Sequence, residues 1–258
     1  MSAQDLLKSL RDNTPLVHCI TNYVAMNIAA NVVLAAGASP AMVHAPEETA
    51  DFTPICGALT INIGTLSTPW VESMVASART AREKNVPWVL DPVAHFISDY
   101  RKDAAQKLMA LRPTILRGNA SEILAMAGET GAGKGADSGD SVGAAQAAAT
   151  SLAQEYGSVV AITGPVDFVT DGAQSANVAG GSDIMPKVTA LGCSQTALMG
   201  AYAACGPAFD AALATLAHFK VAGAKAAQHA RGPGSFQMHF LDALYATTPD
   251  ELTGVIRA

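Results

Sequence analysis

LVHCITNYVAMNIAANVVLAAG, residues 16–37, carries a strand, a polar loop and a helix in one run. Leu16–Ile20 is short and apolar on both faces, as a strand covered on both sides by helices must be. Thr21 and Asn22 follow at its carboxyl end, where an open parallel sheet builds its site. Tyr23–Ala36 is alanine-rich and apolar on most sides, the pattern of a helix packed on a sheet, and Gly37 caps it. Upstream, leucines at 6, 7 and 10 share one face of a helix over Ala3–Arg11, which Asp12–Pro15 ends.

Downstream the unit repeats. Ala41–Val43, Ala58–Gly64, Val86–Leu90, Thr114–Leu116 and Ser158–Gly164 read as buried strands. Helices are expected over Pro69–Lys84, Tyr100–Ala110, Glu122–Ala127, from Ser141 to Gly157, over Ala208–Ala230 and in a last segment ending near Tyr245. Asp167–Gly172 ends in an Asp-Gly turn and predicts a hairpin, so this edge of the sheet has antiparallel character. The alternation predicts an α/β fold: three αβα layers around a mainly parallel sheet, in a single domain over residues 1–258.

Half of the 258 residues are hydrophobic, enough for a substantial core. A net charge of -6 and no basic stripe argue against a nucleic-acid partner. Cys19, Cys56, Cys193 and Cys205 form no CxxC pair and no zinc pattern, which points to reduced thiols in a cytoplasm. The N-terminus carries charges where a signal peptide needs an apolar run, and no uninterrupted apolar segment approaches membrane-spanning length.

The chemistry concentrates at three loops. In KVTALGCSQTALMGAYAAC, residues 187–205, small residues precede a long apolar helix that opens at Cys193-Ser194. Its first N–H groups and the positive end of the dipole suit a phosphate or a developing negative charge. The same place favours thiolate, making Cys193 more acidic than the other cysteines, unless it is simply a small buried hydrophobe. Asp91 ends a central strand before Pro92, placed either to hold a cation or to form a turn. Arg117-Gly118-Asn119-Ala120-Ser121-Glu122 offers a guanidinium for phosphate oxygens and a carboxylate for Mg2+, or alternatively a capped helix with solvated charges. Met42 can line a pocket or fill core. Gly128, Gly133 and Lys134 match the spacing of a Walker A loop, but a helix precedes them and Gly135 stands where the magnesium-binding hydroxyl belongs, so the segment reads as a flexible connection.

Several separated segments resemble the hydroxyethylthiazole kinase family of the ribokinase-like superfamily, from Leu16 to about Tyr245. They are VHCITNYVAMNIAANVVLAAGASPAMVHAPEE, LDPV, ILRGNASEI, ITGPVDFVTDG, KVTALGC, GPGSF and LDALY, in the family's order. The resemblance implies phosphoryl transfer from ATP, with Mg2+, to the primary hydroxyl of 4-methyl-5-(2-hydroxyethyl)thiazole, a salvage step toward thiamine. It further implies that Met42 and Asn22 contact the thiazole with Ala190 bounding it, that Arg117, Thr163 and Asn119 serve ATP, and that Asp91 and Glu122 serve the metal. Cys193 would lie beside the attacking hydroxyl, with the N–H groups of Gly192 and Cys193 holding the transferring phosphoryl. A homotrimer with sites at subunit boundaries is also implied. A kinase for another small heterocyclic alcohol and a catalytically weak binding protein are the alternatives.

Two departures from the family pattern fall in these loops. Thr189-Ala190-Leu191-Gly192-Cys193 stands where the family usually reads Thr-Gly-Thr-Gly-Cys. Ala94-His95-Phe96 follows Asp91-Pro92-Val93 where glycine and small residues are common. If residue 190 needs positive φ its alanine is strained, and Leu191 adds bulk near phosphates or substrate.

Overall fold

The computed structural model describes residues 1–129 and 139–257, with backbone alone at 139–142. The Walker-like Gly133-Lys134 and most of the glycine-rich connection lie outside the described residues.

In chain order the elements are α1 (Ala3–Asn13), β1 (Leu16–Ile20), α2 (Met26–Ala36), β2 (Ser39–Ala41), α3 (Thr49–Phe52), β3 (Ala58–Asn62), α4 (Thr68–Lys84), β4 (Trp88–Asp91) and α5 (Asp99–Met109). β5 (Ile115–Asn119), α6 (Ala120–Met126), α7 (Gly139–Tyr156), β6 (Val159–Thr163), β7 (Asp167–Thr170) and β8 (Ser175–Val178) follow. α8 (Leu191–Ala203), α9 (Ala208–Ala227), α10 (Pro233–Ala246) and β9 (Ile256–Arg257) complete the order. The strands form one sheet in the order β2-β1-β3-β4-β5-β6-β7-β8-β9. Pairing is parallel from β2 to β6 and antiparallel from β6 to β9. The expected αβα layering and the hairpin are both present.

Strand side chains alternate between two cores. Val17, Val89, Ile115 and Val159 face a core with α1, α2, α8, α9 and α10. Leu90, Leu116 and Val160 face the opposite core, with Trp70 and Met74 of α4 and Leu108 of α5. A strand buried on both sides needs apolar residues at consecutive positions, which is why these runs do not alternate in polarity.

The bounds of β2 and α2 are among those that differ from the sequence expectation. β2 is Ser39–Ala41 rather than Ala41–Val43, with its pairing in register from Leu16↔Ser39 to His18↔Ala41. Pro40 is tolerated because β2 is an outer strand and has no second neighbour to serve. α2 starts at Met26 rather than Tyr23 because the Asn22 side-chain oxygen accepts from the Val24 and Ala25 N–H groups and holds residues 23–25 in a turn. Among the described residues no helix is long and apolar enough to cross a membrane.

His218 locks α8, α9 and α10 together. One ring nitrogen meets the Tyr202 hydroxyl at 2.9 Å and the other the Leu244 carbonyl at 2.9 Å, in a fully buried setting. The carbonyl takes a ring N–H and the hydroxyl then donates to the bare nitrogen, so the neutral ring satisfies both partners. Burial pushes the imidazole down to about 4, only partly opposed by the Leu244 carbonyl. The unfolded chain therefore binds more protons between about pH 6.5 and 4, and stability is lost as pH falls through that window, by up to roughly 3 kcal/mol. His218→Gln keeps one donor and one acceptor without titrating. Urea denaturation at pH 7 and pH 4.5 is expected to show a smaller acid loss in this variant than in wild type.

Candidate active site

At the carboxyl ends of the parallel strands, buried polar side chains form one continuous chain of hydrogen bonds. Asn22, after β1, donates from Nδ2 to Asn62 Oδ1 at 2.7 Å. Asn62, the last residue of β3, donates to Asp91 Oδ2 at 2.7 Å, and the sheet register sets these two side by side. The same Asp91 oxygen accepts from Thr196 Oγ1 of α8 at 2.7 Å and from Arg117 Nη1 at 3.3 Å. Arg117 Nη2 reaches Thr163 Oγ1 at 2.9 Å and Gln195 Oε1 at 3.2 Å. Every strand from β1 to β6 except the outer β2 thus contributes a group to one layer.

Asp91 is fully buried. Burial pushes its carboxyl up to about 6; Arg117 pulls it down and the nearby Glu122 charge pushes it up. Among the described residues its Oδ1 has no partner, and neither does Arg117 Nε. Glu122 is differently engaged: Oε2 accepts the Asn119 N–H at 2.8 Å and Oε1 the Ala94 N–H at 3.0 Å. Asn119 caps α6 reciprocally, accepting from Glu122 N at 2.9 Å, the capping-box alternative that the sequence left open.

A cavity of about 880 Å³ opens over this layer. Asp91, Arg117, Asn119, Glu122, Thr163, Ala190, Gly192 and Cys193 all line it, so eight of the residues singled out by sequence come together. Asn22 does not line the cavity itself but reaches it through Asn62 and through the Cys193 thiol, and Met42 packs at the edge of the core with α1, α2 and α8. Sequence reasoning missed Asn62, Gln195, Thr196, Asp167 and Lys220. Asn62 carried the same signal as Asp91, a polar residue ending a buried strand; Lys220 is a cation on an otherwise apolar helical face.

The helix at the cavity wall starts earlier than expected. Ala190 is the N-cap, with φ 57°, and Leu191, Gly192 and Cys193 form the first turn without any side-chain cap. Their N–H groups stand at an anion-ready end of α8. Cys193 is consequently the third helical residue rather than the opening one. Its thiol is pushed up, not down, first by burial and then by the negative charge of Asp91; hydrogen bonding from Asn62 and Asn22 and the Arg117 charge offset this only in part. The expected thiolate is thereby corrected to a neutral thiol.

A model described as the hydroxyethylthiazole kinase family matches residues 7–250. The hydroxyethylthiazole kinase of Roseobacter denitrificans is 78% identical over 257 residues, covering 100% of both chains. The chain belongs to the hydroxyethylthiazole kinase family. The structure of hydroxyethylthiazole kinase protein from Pyrococcus horikoshii superposes with a TM-score of 0.92 at 36% identity, over 99% of this chain and 98% of that one. A ribokinase-like superfamily protein from Enterococcus faecalis shares only the fold, at a TM-score of 0.67, 10% identity and 93% coverage of each chain. This member of the hydroxyethylthiazole kinase family is therefore an α/β kinase of the ribokinase-like fold.

Both departures from the family's usual sequence sit on left-handed backbone. Ala94 has φ 49° and Ala190 φ 57°. A side chain there clashes with the neighbouring carbonyl, at roughly 1–2 kcal/mol per residue. Leu191 is a different matter: it is 3% exposed and belongs to the core while also forming part of the cavity wall, so most of its bulk is packing. In this kinase Ala190→Gly is expected to gain up to about 1 kcal/mol, or about 2–4 °C in Tm. Adding Leu191→Thr is expected to reverse the gain, because burial of the leucine contributes about 1.5–3 kcal/mol. Thermal melts of the single and double variants check both statements.

Proposed function

We propose that the chain transfers the γ-phosphoryl group of ATP to the primary hydroxyl of 4-methyl-5-(2-hydroxyethyl)thiazole, the salvage step toward thiamine, in a reducing cytoplasm. The observation that carries this reading is the full-length likeness to hydroxyethylthiazole kinases, joined to an uncapped helix end facing a cavity lined by Arg117 and Asp91. All four cysteines are free thiols, in keeping with that compartment. Residues 1–258 act as one kinase domain.

Phosphoryl transfer asks mainly for positioning and charge stabilisation. Arg117, Thr163 and Asn119 hold ATP, and the N–H groups of Gly192 and Cys193 receive the transferring phosphoryl at the positive end of α8. Ala190 bounds the thiazole, and Asn22 serves it from behind, through Asn62 and the Cys193 thiol. Residues suited to Mg2+ are sparse but fitting: Asp91 keeps an oxygen without a partner among the described residues, and Glu122 lies at the cavity wall. One or two carboxylates are what a magnesium arriving on nucleotide phosphates uses. When bound, Mg2+ neutralises charge on the phosphate oxygens. The same reading includes a homotrimer whose neighbouring subunit completes the thiazole site around Met42; sedimentation equilibrium checks the trimer.

A neutral thiol is a poor base, so Cys193 leaves the anion site open rather than removing the hydroxyl proton. Cys193→Ala is accordingly expected to keep kcat within about tenfold, less than the 10²–10⁴ that a general base contributes. A larger loss in steady-state rates would return the thiol to an acid–base role. Coupled ATP turnover with and without hydroxyethylthiazole, with the phosphorylated product identified by mass, tests the whole reading. Thiazole-independent turnover, or no product at all, would sink it, and a panel of related alcohols would then identify another acceptor.

A further inference from the structure

Lys220, in the middle of α9, is 6% exposed, lines the cavity and has no part in the reaction outlined above. Its ammonium meets three acceptors: Gly164 O at 2.7 Å, Pro165 O at 3.1 Å and Asp167 Oδ1 at 3.2 Å. An ammonium has three N–H donors, so the set is complete and no donor remains for a ligand. Asp167 Oδ1 also accepts the Gly164 N–H at 2.9 Å. The ion pair thus grips the peptide groups on both sides of Gly164, the residue that follows Thr163. Thr163 in turn holds Arg117. The Lys220 stem also supports a second part of the cavity wall: a Cβ on Gly181 would stand 3.1 Å from Lys220 Cδ, so the glycine lies directly against the side chain.

We propose that Lys220, with Asp167 as its counter-charge, is a positioning residue for ATP, setting the turn after β6 and through it the placement of Thr163 and Arg117. The inference rests on the proposed assignment of Thr163 and Arg117 to ATP. A burial-neutral alternative would use Lys220 only to neutralise Asp167, and the two differ in what a neutral pair does. Lys220→Met removes the donors but leaves Asp167 buried and unpaired. Lys220→Met with Asp167→Asn retains an acceptor for the Gly164 N–H and carries no buried charge, so it remains informative where the single variant fails to fold.

The test is steady-state kinetics of the full chain with Mg-ATP and hydroxyethylthiazole, together with calorimetric titration of Mg-ATP. In the double variant the KM for ATP is expected to rise at least about tenfold while the KM for the thiazole stays within about twofold. An unchanged KM for ATP, or equal rises for both substrates, would overturn the role of Lys220. So would a double variant restored to wild-type affinity, since Lys220 would then serve only the charge of Asp167. Wild-type turnover separates this outcome from failure of the underlying reading: turnover with unaffected variants rejects Lys220 alone, whereas absence of wild-type product rejects the proposed reaction and leaves Lys220 to the Mg-ATP titration.

Discussion

Arg117→Ala is expected to reduce kcat/KM for ATP by roughly 10²–10³-fold, the range for removing one pre-placed donor, with thiazole binding little changed. The same change is expected to cost about 3–5 kcal/mol of stability, because it leaves a buried carboxylate without its partner. Asp91 is fully buried and Arg117 is 8% exposed, so the carboxylate left behind keeps only its hydrogen bonds from Asn62 and Thr196. The pH dependence has a definite sign. Asp91 is already raised above its ordinary 3.8, so the folded state binds more protons than the unfolded state from about pH 4 upward, and stability falls as pH rises through about 6. Removing the cation that pulls this carboxyl down widens the window toward neutrality, making the variant weakest there and relatively recovered in acid. Urea titrations at pH 5 and pH 8, alongside separate ATP and thiazole titrations, check the prediction. Equal weakening of both ligands would refute the assignment of Arg117 to the nucleotide.

Gly200→Ala is expected to destabilise the protein by about 2 kcal/mol, within the range for overpacking a filled interior. α8 is buried on all sides, and a Cβ at residue 200 would fall inside the van der Waals boundary of Thr60 Cγ2 and 3.0 Å from Val17 Cγ1. Both neighbours belong to strands that are paired on both sides within the sheet and have little freedom to withdraw. Helix propensity alone predicts the opposite, a gain of up to about 1 kcal/mol for alanine over glycine. A thermal melt therefore decides between packing and propensity by the direction of its shift, expected downward by about 4–8 °C. Activity should fall as well. Displacing α8 from β1 and β3 moves the helix end that carries Gly192 and Cys193.

Strands were legible wherever the chain wrote them as short apolar runs before a polar residue, as at Val86–Leu90 and Thr114–Leu116, although β4 includes Asp91 and β5 runs on through Arg117 to Asn119. Such runs must be apolar on both faces to lie between two helical layers, and helices offer no competing explanation for them. β2 was misplaced because the run Ala41–Val43 looks more strand-like than Ser-Pro-Ala, yet an outer strand tolerates proline and its pairing partner fixes the register. The site was legible where one residue declares its chemistry, as with Asp91 or Arg117. It was illegible where chemistry depends on partners distant in sequence. Thr196 joins Asp91 across 105 positions, and nothing near Gln195 announces that it braces a guanidinium. The acidity of Cys193 failed for the same reason: helix position is local, but its burial and the charge of Asp91 are not.

The sheet ends on one side at the three-residue β2, with Pro40 in its middle, and on the other at the two-residue β9. A proline has no N–H to offer, and a two-residue edge gives an incoming strand almost no ladder to extend. Neither margin of the folded sheet offers another chain's strand a long ladder to extend. Contact between folded copies is thereby left to side chains on helices and loops, and a substitution on those surfaces leaves the margins of the sheet untouched.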